Sequence, residues 1–565
     1  MKFPAVCLLF LFTGSNRAQI PASPQTLEVA MRDGIRLSTD VYGSTPGVRW
    51  PALLMRTPYN KRGAKATAER FAAAGYVAIV QDTRGAFASE GKYVHYNNDD
   101  QDGFDAIEWI VQQPWSNGNV GMWGSSHPGA VQWVAAADRA DGLVVVAPTA
   151  APSSFYHTMY QGGALRLGLT AGAGVSINPP PPGIIAPKDL TELHYHLPLA
   201  TLDQAIGWSM PWLKSVVMHN RPDGFWRRLE ATPELEKLEV AAQNIVGYYD
   251  LFCGETVENF QRLPRHGKKQ LILGPWDHST VGGRMIGGVD FGPKAKLDIA
   301  AENLNWFDRF LKPAKDTEPF PAVRFFLMGN NVWRTAKDWP PPDAVNTAFY
   351  LHSAGKANSR RGDGKLTPKA PAGAEQVDRF KSDPDRPTPS EPADAPRPSR
   401  STPWRPVDRG SIEDRDDVLV YTTKVQSTPL SIAGRILADL WVSADAPDAD
   451  WAVKLIDVAP DGAARGLAEG ILRSSSRDLP KYPALLEPGR RYRFTVDLGH
   501  TAATILPRHA LRLELAGSSF PMFDRNLHTG DGPTGTRKQI SVQTVYHSST
   551  AASRLLLPVL PQKAE

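Results

Sequence analysis

Gly121-Met-Trp-Gly124-Ser-Ser126-His127-Pro-Gly129 is the stretch on which the fold of this chain turns. The apolar run through Val120 and Met122 predicts a buried strand, and Gly129-Ala-Val-Gln-Trp-Val-Ala-Ala-Ala137 predicts the helix after it. Ser126 falls at the sharp turn between them, with Gly124 before it and Gly129 after it. Small residues are needed where strand and helix backbones nearly touch and the serine is held in a strained conformation. This is the layout of a nucleophile elbow, in the spacing G-x-S-x-x-G rather than the commoner G-x-S-x-G. Taken alone, an ordinary serine in a glycine-rich turn would also explain it.

Two later segments shift the balance. A serine nucleophile needs a base and an orienting acid, and on such a sheet they follow in the order Ser, Asp, His, each just past a strand end. Asn244-Ile-Val-Gly-Tyr-Tyr-Asp250 predicts a short strand running into an aspartate, and Gln270-Leu-Ile-Leu-Gly-Pro-Trp-Asp277-His278 one running into a histidine. The candidate catalytic residues are therefore Ser126, Asp250 and His278. Asp277 rivals Asp250 as the acid, but its adjacency to His278 makes a well-aligned bond to that imidazole awkward. The oxyanion candidates are the backbone N–H of His127, the residue after the nucleophile, and the Tyr59 phenol. Tyr59 follows the predicted strand and Pro turn of Ala52-Leu-Leu-Met-Arg-Thr-Pro-Tyr59.

Arg56-Thr-Pro-Tyr59, Gln81-Asp-Thr-Arg-Gly85 with Ser89-Glu-Gly91, the elbow, Tyr248-Tyr-Asp250 and Gly274-Pro-Trp-Asp-His278 together resemble the cocaine esterase-type serine hydrolases. That group is related to X-prolyl dipeptidyl peptidases and α-amino acid ester hydrolases. The likeness continues through Pro211-Trp-Leu, Phe225-Trp-Arg-Arg, Arg415-Asp-Asp-Val-Leu and Phe520-Pro-Met-Phe-Asp-Arg-Asn526, so it spans nearly the whole chain after about residue 25. It implies the same roles for Ser126, His278, Asp250, Tyr59 and the His127 amide. In one departure, His127 stands where the family usually has tyrosine. That leaves the backbone donor untouched and predicts a more polar, pH-responsive pocket wall.

The predicted fold class is α/β: an α/β-hydrolase core with an inserted helical cap and a C-terminal all-β jelly roll. Strands are expected at Pro51 to Arg56, Tyr76 to Asp82, Val120 to Trp123 and Leu143 to Ala147, with helices at Ala64 to Ala74 and Asp102 to Gln113. That alternation predicts a mostly parallel sheet covered on both faces. It resumes at Ala241 to Leu273 and closes with a helix at Ile299 to Leu311. The expected boundaries are a signal peptide at 1–22, hydrolase segments at 23–149 and 241–345, a cap at 150–240 and a β-sandwich at 346–565. In the cap, helical pieces are expected around Leu202 to His219 and Gly224 to Leu229. Residues 355–410, rich in Pro, Asp, Arg, Gly and Ser, read as long surface loops. Further on, Tyr492, Phe494, Val496 and Leu498, then Leu511, Leu513 and Leu515, alternate with polar residues and predict strands with one apolar and one polar face. The resemblance implies the jelly roll; a carbohydrate-binding module is the plainer reading of this third.

At 565 residues the chain is too long for one core. A net charge of +4 without a basic stripe argues against nucleic acid. Met1-Lys2 followed by the apolar Phe3 to Phe12 has the form of a secretory signal and is too short for a membrane span. The expectation is an exported protein, periplasmic or secreted, with no stable membrane insertion after signal removal and with homo-oligomerisation left open. Cys253 is then the lone cysteine of the mature chain and reads as a small buried hydrophobe. No cofactor is expected and no metal site, since His194-Tyr-His196 lacks a spaced third ligand.

The expected partner is a small-molecule ester or amide substrate. α-Amino acid ester hydrolases bind the substrate ammonium with carboxylates shortly after the catalytic Asp; here Leu251, Phe252 and Cys253 follow instead. A buried ammonium without a counter-charge is costly. Phe252 suits an apolar or aromatic acyl group, and Met159 stands where cocaine esterase-like chains carry tryptophan. Phe252 and Met159 are thus the substrate-binding candidates. The first expectation is an esterase for small apolar or aromatic acyl groups. The second is a peptidase or acylase cleaving X-Pro-type dipeptide or β-lactam side-chain amides, and the third a silent glycan-binding protein on the same fold.

Overall fold

A computed structural model describes residues 24–561, apart from 45–46, 96–97, 139, 179, 188, 228–229, 265–267, 314–318, 396–404, 480 and 482. The expected signal peptide, with Cys7, lies outside the described residues. Among the described residues no helix is long and apolar enough to cross a membrane.

The core is a ten-stranded sheet. Its strands, in chain order, are β1 (Gln25–Ala30), β2 (Arg36–Tyr42), β3 (Trp50–Thr57), β4 (Val77–Asp82), β5 (Ser116–Ser125), β6 (Leu143–Thr149), β7 (Ala241–Gly247), β8 (Lys269–Gly274), β9 (Val323–Leu327) and β10 (Val332–Ala336). They lie side by side as β1-β2-β4-β3-β5-β6-β7-β8-β9-β10. Pairing is parallel from β4 through β9 and antiparallel at both flanks. β4 and β7 are buried at every residue, as strands covered on both faces must be.

Five helices cover the sheet: α1 (Lys65–Ala73), α2 (Asp99–Val111), α3 (His127–Ala137), α4 (Cys253–Arg262) and α5 (Ile299–Leu311). Leu54 packs with Ile107 of α2 and Trp133 of α3, whereas its neighbour Leu53 packs with Phe71 of α1 and Trp306 of α5. Successive side chains of a strand point to opposite faces, so these are the two cores of a sheet clad on both sides. This is an α/β-hydrolase core.

Between β6 and β7 the chain forms short helices and a hairpin, Tyr160–Gln161 with Ala164–Leu165. The helical pieces expected around Leu202 to His219 are Leu202–Ile206 and Pro211–Met218, separated at Gly207, where φ is +121°. A further helix, Leu167–Ile177, escaped the sequence reading. Its Leu-Gly-Leu-Thr-Ala-Gly-Ala-Gly run has no polar face to mark a period, because much of its circumference is buried. This segment's core joins Phe155, Met159, Leu213 and Trp226 to Ala130 of α3 and to Phe520 far along the chain.

Beyond Val345 the strands form an all-β domain built mainly from antiparallel pairs, such as Leu430–Ala444 with Tyr492–Ile505 and Asp450–Val458 with Ala464–Arg473. Two expectations need correction. Residues 355–410 are not simply surface loops: strands Lys365–Thr367 and Asp378–Ser382 lie within them, and Arg409 is fully buried. The polar face of strand Ala510–Ala516 is not solvated either, since Arg512 and Glu514 are buried. Glu514 takes a forked ion pair from Arg409, at 2.9 and 2.8 Å, and Arg512 pairs with Glu413. Period 2 reports which side chains share a face; it does not say whether ionic partners will cover that face.

Candidate active site

The elbow is as strained as its glycines imply. Ser126 has φ +64° and ψ −127°, a region a non-glycine residue occupies at a cost of roughly 1–3 kcal/mol. Gly124 sits at φ +139°, where a Cβ would lie 2.4 Å from the Pro128 Cβ. At Gly129 a Cβ would meet the Ala151 Cβ at 2.5 Å and the Gly124 carbonyl oxygen at 3.1 Å. The second glycine stands three residues after the serine because that is where α3 crosses the chain leaving β6. The Ser126 N–H donates to the Thr149 carbonyl at 3.0 Å, and the Ser126 carbonyl accepts from Gly129 and Ala130, each at 2.9 Å. Sheet and helix hold the turn from both sides.

Asp250 and His278 come from the C-terminal ends of adjacent parallel strands, β7 and β8. Their loops are laced together: Tyr248 N–H donates to the Gly274 carbonyl at 2.9 Å and Tyr249 N–H to the Trp276 carbonyl at 3.0 Å. The approach is so close that a Cβ on Gly247 would fall 2.0 Å from the Trp276 oxygen. The result is a 3.0 Å hydrogen bond from His278 Nδ1 to Asp250 Oδ2, with the Asp250 side chain wholly buried. Asp250 Oδ1 accepts from the Phe252 N–H at 2.8 Å. A carboxylate acceptor on Nδ1 fixes the neutral ring with its proton there, leaving Nε2 as the basic nitrogen. Burial lowers the imidazole pKa, but the Asp250 carboxylate outweighs it and the net shift is upward. Asp277, the rival acid, instead accepts from Ser279 N–H and the Thr280 hydroxyl, both at 2.9 Å, and ties its own turn.

Tyr59 leaves the end of β3 and places its hydroxyl 3.4 Å from Ser126 Oγ. The residue keeps 57 % of its surface open, and desolvation shifts its pKa upward. The His127 backbone N–H and the Ser126 hydroxyl both favour the phenolate form of Tyr59, though less than desolvation opposes it. The phenol therefore keeps its proton at neutral pH. A buried polar frame carries this loop: Arg56 donates to Gln81 Oε1 at 3.0 Å and to Asp99 Oδ1 at 3.1 Å. Lys61 N–H donates to Asp82 Oδ1 at 2.7 Å, and Arg84 pairs with Asp102 at 2.6 Å. These contacts account for the spacing of the Arg56 and Gln81-to-Arg84 motifs.

The His127 side chain does not wall the pocket. It is completely buried beneath the elbow, its Nε2 3.2 Å from Asp99 Oδ2 and its ring centroid 5.2 Å from that of His95. Placed first in α3, its side chain meets Asp99 at the start of α2, and its ring centroid lies 6.3 Å from that of Tyr59. Asp99 and His95 have no sequence spacing that links them to the elbow, and the sequence reading missed both.

Phe252 is buried and presents an edge to His278 at a centroid separation of 5.2 Å. Met159 is buried in the core of the segment between β6 and β7, its sulfur accepting from the Thr170 hydroxyl at 3.6 Å. Cys253 is buried, its thiol pKa pushed up by desolvation, as befits a packing residue. His194 packs against Phe520, and His196 Nε2 lies 2.9 Å from the Thr201 hydroxyl. Among the described residues no cluster of three or more His, Cys, Asp or Glu could hold a metal ion.

Several known proteins are similar to this chain. The model of the X-Pro dipeptidyl-peptidase (S15 family) matches residues 33–280, and that of the X-Pro dipeptidyl-peptidase C-terminal non-catalytic domain matches 316–556. The chain is 34% identical to a cocaine esterase from Rhodococcus sp. (strain MB1 Bresler) over 569 residues, covering 94% of this chain and 97% of that one. The crystal structure of an α-amino acid ester hydrolase superposes with a TM-score of 0.83 at 25% identity, covering 97% of this chain and 99% of that one. An aminopeptidase from a marine sediment archaeon, Thaumarchaeota archaeon, shares the fold with a TM-score of 0.83 at 24% identity, covering 95% and 96%.

Proposed function

The chain belongs to the cocaine esterase-type serine hydrolases of the X-Pro dipeptidyl-peptidase (S15) group, and from that premise we propose that it cleaves carboxylic esters with small apolar or aromatic acyl groups through Ser126, His278 and Asp250. The observation that carries the reading is the 3.0 Å bond between His278 Nδ1 and the buried Asp250. With Nδ1 engaged by the carboxylate, Nε2 is left as the basic nitrogen that the role of general base requires. In the acylation step Ser126 Oγ bonds the ester carbonyl carbon as its proton passes to His278 Nε2. The carbonyl π-pair moves onto oxygen and the C–O bond to the alcohol then breaks, the alcohol leaving with the proton from His278. Water repeats the sequence on the acyl-enzyme and releases the acid. Asp250 stays ionised throughout and stabilises the imidazolium.

The oxyanion is held by the His127 N–H, at the N-terminus of α3, and by the Tyr59 hydroxyl. The Tyr59 hydroxyl lies 3.4 Å from Ser126 Oγ, near enough to turn its proton toward the developing charge. The edge contact of Phe252 on His278 supports an apolar acyl wall, and no carboxylate occupies the two positions after Leu251 to receive an ammonium. The X-Pro dipeptidyl-peptidase match favours a second reading, hydrolysis of dipeptide amides.

Turnover of matched aryl ester, dipeptide anilide and amino-acid ester by wild type and Ser126→Ala separates the two. Ester-only activity that vanishes in the variant supports the esterase, and anilide cleavage moves the chain to the peptidase reading. No turnover together with no fluorophosphonate labelling would leave a silent binding protein. Residues 1–22 support export, which the N-terminal sequence of the mature protein tests.

A further inference from the structure

The two oxyanion donors come from separate parts of the sheet, Tyr59 from the loop after β3 and the His127 N–H from the first turn of α3. One buried side chain touches the supports of both. Asp99, the first residue of α2, accepts from Arg56 Nη1 on Oδ1 at 3.1 Å, and its Oδ2 lies 3.2 Å from His127 Nε2. Arg56 stands in β3, three residues before Tyr59, and donates also to the Asp99 carbonyl at 2.9 Å and to Gln81 Oε1 at 3.0 Å. Arg56 and His127 are both fully buried.

The linkage has little room to give. At Gly103, one turn along α2 from Asp99, a Cβ would lie 3.5 Å from Arg56 Nη1 and 3.2 Å from the Ala135 Cβ of α3. The two helices and the guanidinium are therefore packed at contact distance. The His127 ring is held on other sides by His95, at a centroid separation of 5.2 Å, and by the edge of Tyr59 at 6.3 Å. His95 is in turn fixed by the Tyr93 hydroxyl, 2.7 Å from its Nδ1. Desolvation opposes the Asp99 charge, but His127 and Arg56 outweigh it and keep the carboxyl below the ordinary aspartate range. An ionised carboxylate only accepts hydrogen bonds, so the imidazole nitrogen it faces carries a proton. Ser126 needs such a brace beside it: at φ +64° it is strained, and strain persists only where the surroundings over-determine it.

We propose that Asp99 is a positioning residue for the hydrolytic reaction, setting the separation of the two oxyanion donors by bracing Arg56 of β3 against the His127 side chain. The proposal rests on the reading of Tyr59 and the His127 amide as the oxyanion hole. Asp99 acts only through the two residues it holds. Its leverage comes from the narrow range over which a hole works: donors belong about 2.7–3.1 Å from the oxyanion. A misplacement of roughly 1 Å costs about 10²-fold in rate.

A double-mutant cycle on the full-length protein tests it, with wild type, Asp99→Asn, Tyr59→Phe and the double variant. Each is assayed for kcat and KM on an aryl ester and for its rate of fluorophosphonate labelling, which develops charge on a phosphoryl oxygen in the same hole and needs no carboxylic ester. Rates are taken per folded chain, measured by near-UV circular dichroism. Asp99→Asn should lower kcat and the labelling rate about 10²-fold while KM stays within about threefold. In the Tyr59→Phe background one donor remains and no separation is left to set, so the same substitution should cost at most about tenfold. A general loss of structure would multiply both backgrounds alike. Equal losses in the two backgrounds, or Asp99→Asn within about threefold of wild type, would overturn the role of Asp99 and leave the oxyanion hole standing. Tyr59→Phe at the wild-type rate, or a wild type that neither turns over nor labels, would sink the oxyanion reading and the proposal with it. If Asp99→Asn does not fold, His127→Phe takes its place in the cycle with the same expectations, since it removes the Nε2 donor but keeps a ring and the Arg56–Asp99 pair.

Discussion

Replacing Tyr59 with phenylalanine deletes one oxygen, and the structure separates what that oxygen does for folding from what it does for catalysis. The residue is 57 % exposed, and its hydroxyl bonds Ser126 Oγ of the elbow at 3.4 Å. Stability should therefore change by no more than about 0.5 kcal/mol, the range of ordinary surface substitutions. Catalysis should change far more. Loss of one preorganised oxyanion donor lowers kcat by about 10²–10³, or roughly 2.7–4 kcal/mol of transition-state stabilisation. KM should move little, because the donor acts on charge that exists only as the bond forms. Steady-state turnover of an aryl ester, beside a thermal melt of both proteins, measures the two effects. A Tyr59→Phe enzyme with kcat within threefold of wild type would refute the assignment of the phenol, leaving the His127 N–H in need of another companion.

Asp250→Asn should leave the fold intact and lower kcat about 10⁴-fold by freeing the wrong tautomer of His278. The acid limb of kcat/KM, set above the ordinary histidine value by Asp250, should shift to lower pH in that variant. Gly129→Ala pushes a methyl to 2.5 Å from the Ala151 Cβ and should abolish esterase activity, with a loss of stability visible in urea unfolding. In the all-β domain, buried His547 faces Glu375 through Nδ1 and Asp378 through Nε2, each at 2.9 Å. Desolvation opposes its charge, but the two carboxylates win and raise its pKa. Its contribution to stability is thus full below the unfolded value of about 6.5 and lost as pH rises through the raised folded value. The lowered pKa values of Glu375 and Asp378 act at the other end, their contributions fading as pH falls through the folded values. His547→Gln should flatten the alkaline decline in urea-unfolding stability, and an unchanged decline would discount the cluster.

The elbow, the order Ser126, Asp250, His278 and the parallel sheet are legible in the sequence because each is a local signal: a glycine spacing or an apolar run ending in a polar residue. The rejection of Asp277 follows from chain geometry alone, and its hydrogen bonds to Ser279 and Thr280 fit that argument. Whatever depends on distant partners was not legible. The burial of Arg512 and Glu514 needs Arg409 and Glu413, about 100 residues away. The His127 ring is buried against Asp99 and His95, which no motif marks.

The packing of Phe520 among Phe155, Met159 and Trp226, with the Leu165 N–H donating 2.7 Å to Asp524 Oδ1, sets a timetable for the newborn chain. Contacts separated by 294 to 365 residues form late, because loop closure must precede them. The α/β sheet can assemble as its strands emerge, but the segment between β6 and β7 stays without the Phe520 side of its core until the last third of the chain is made. Before then the strained serine stands in a half-built groove open to water. Catalytic competence should therefore arrive as a single late event, when the carboxyl-terminal strands dock.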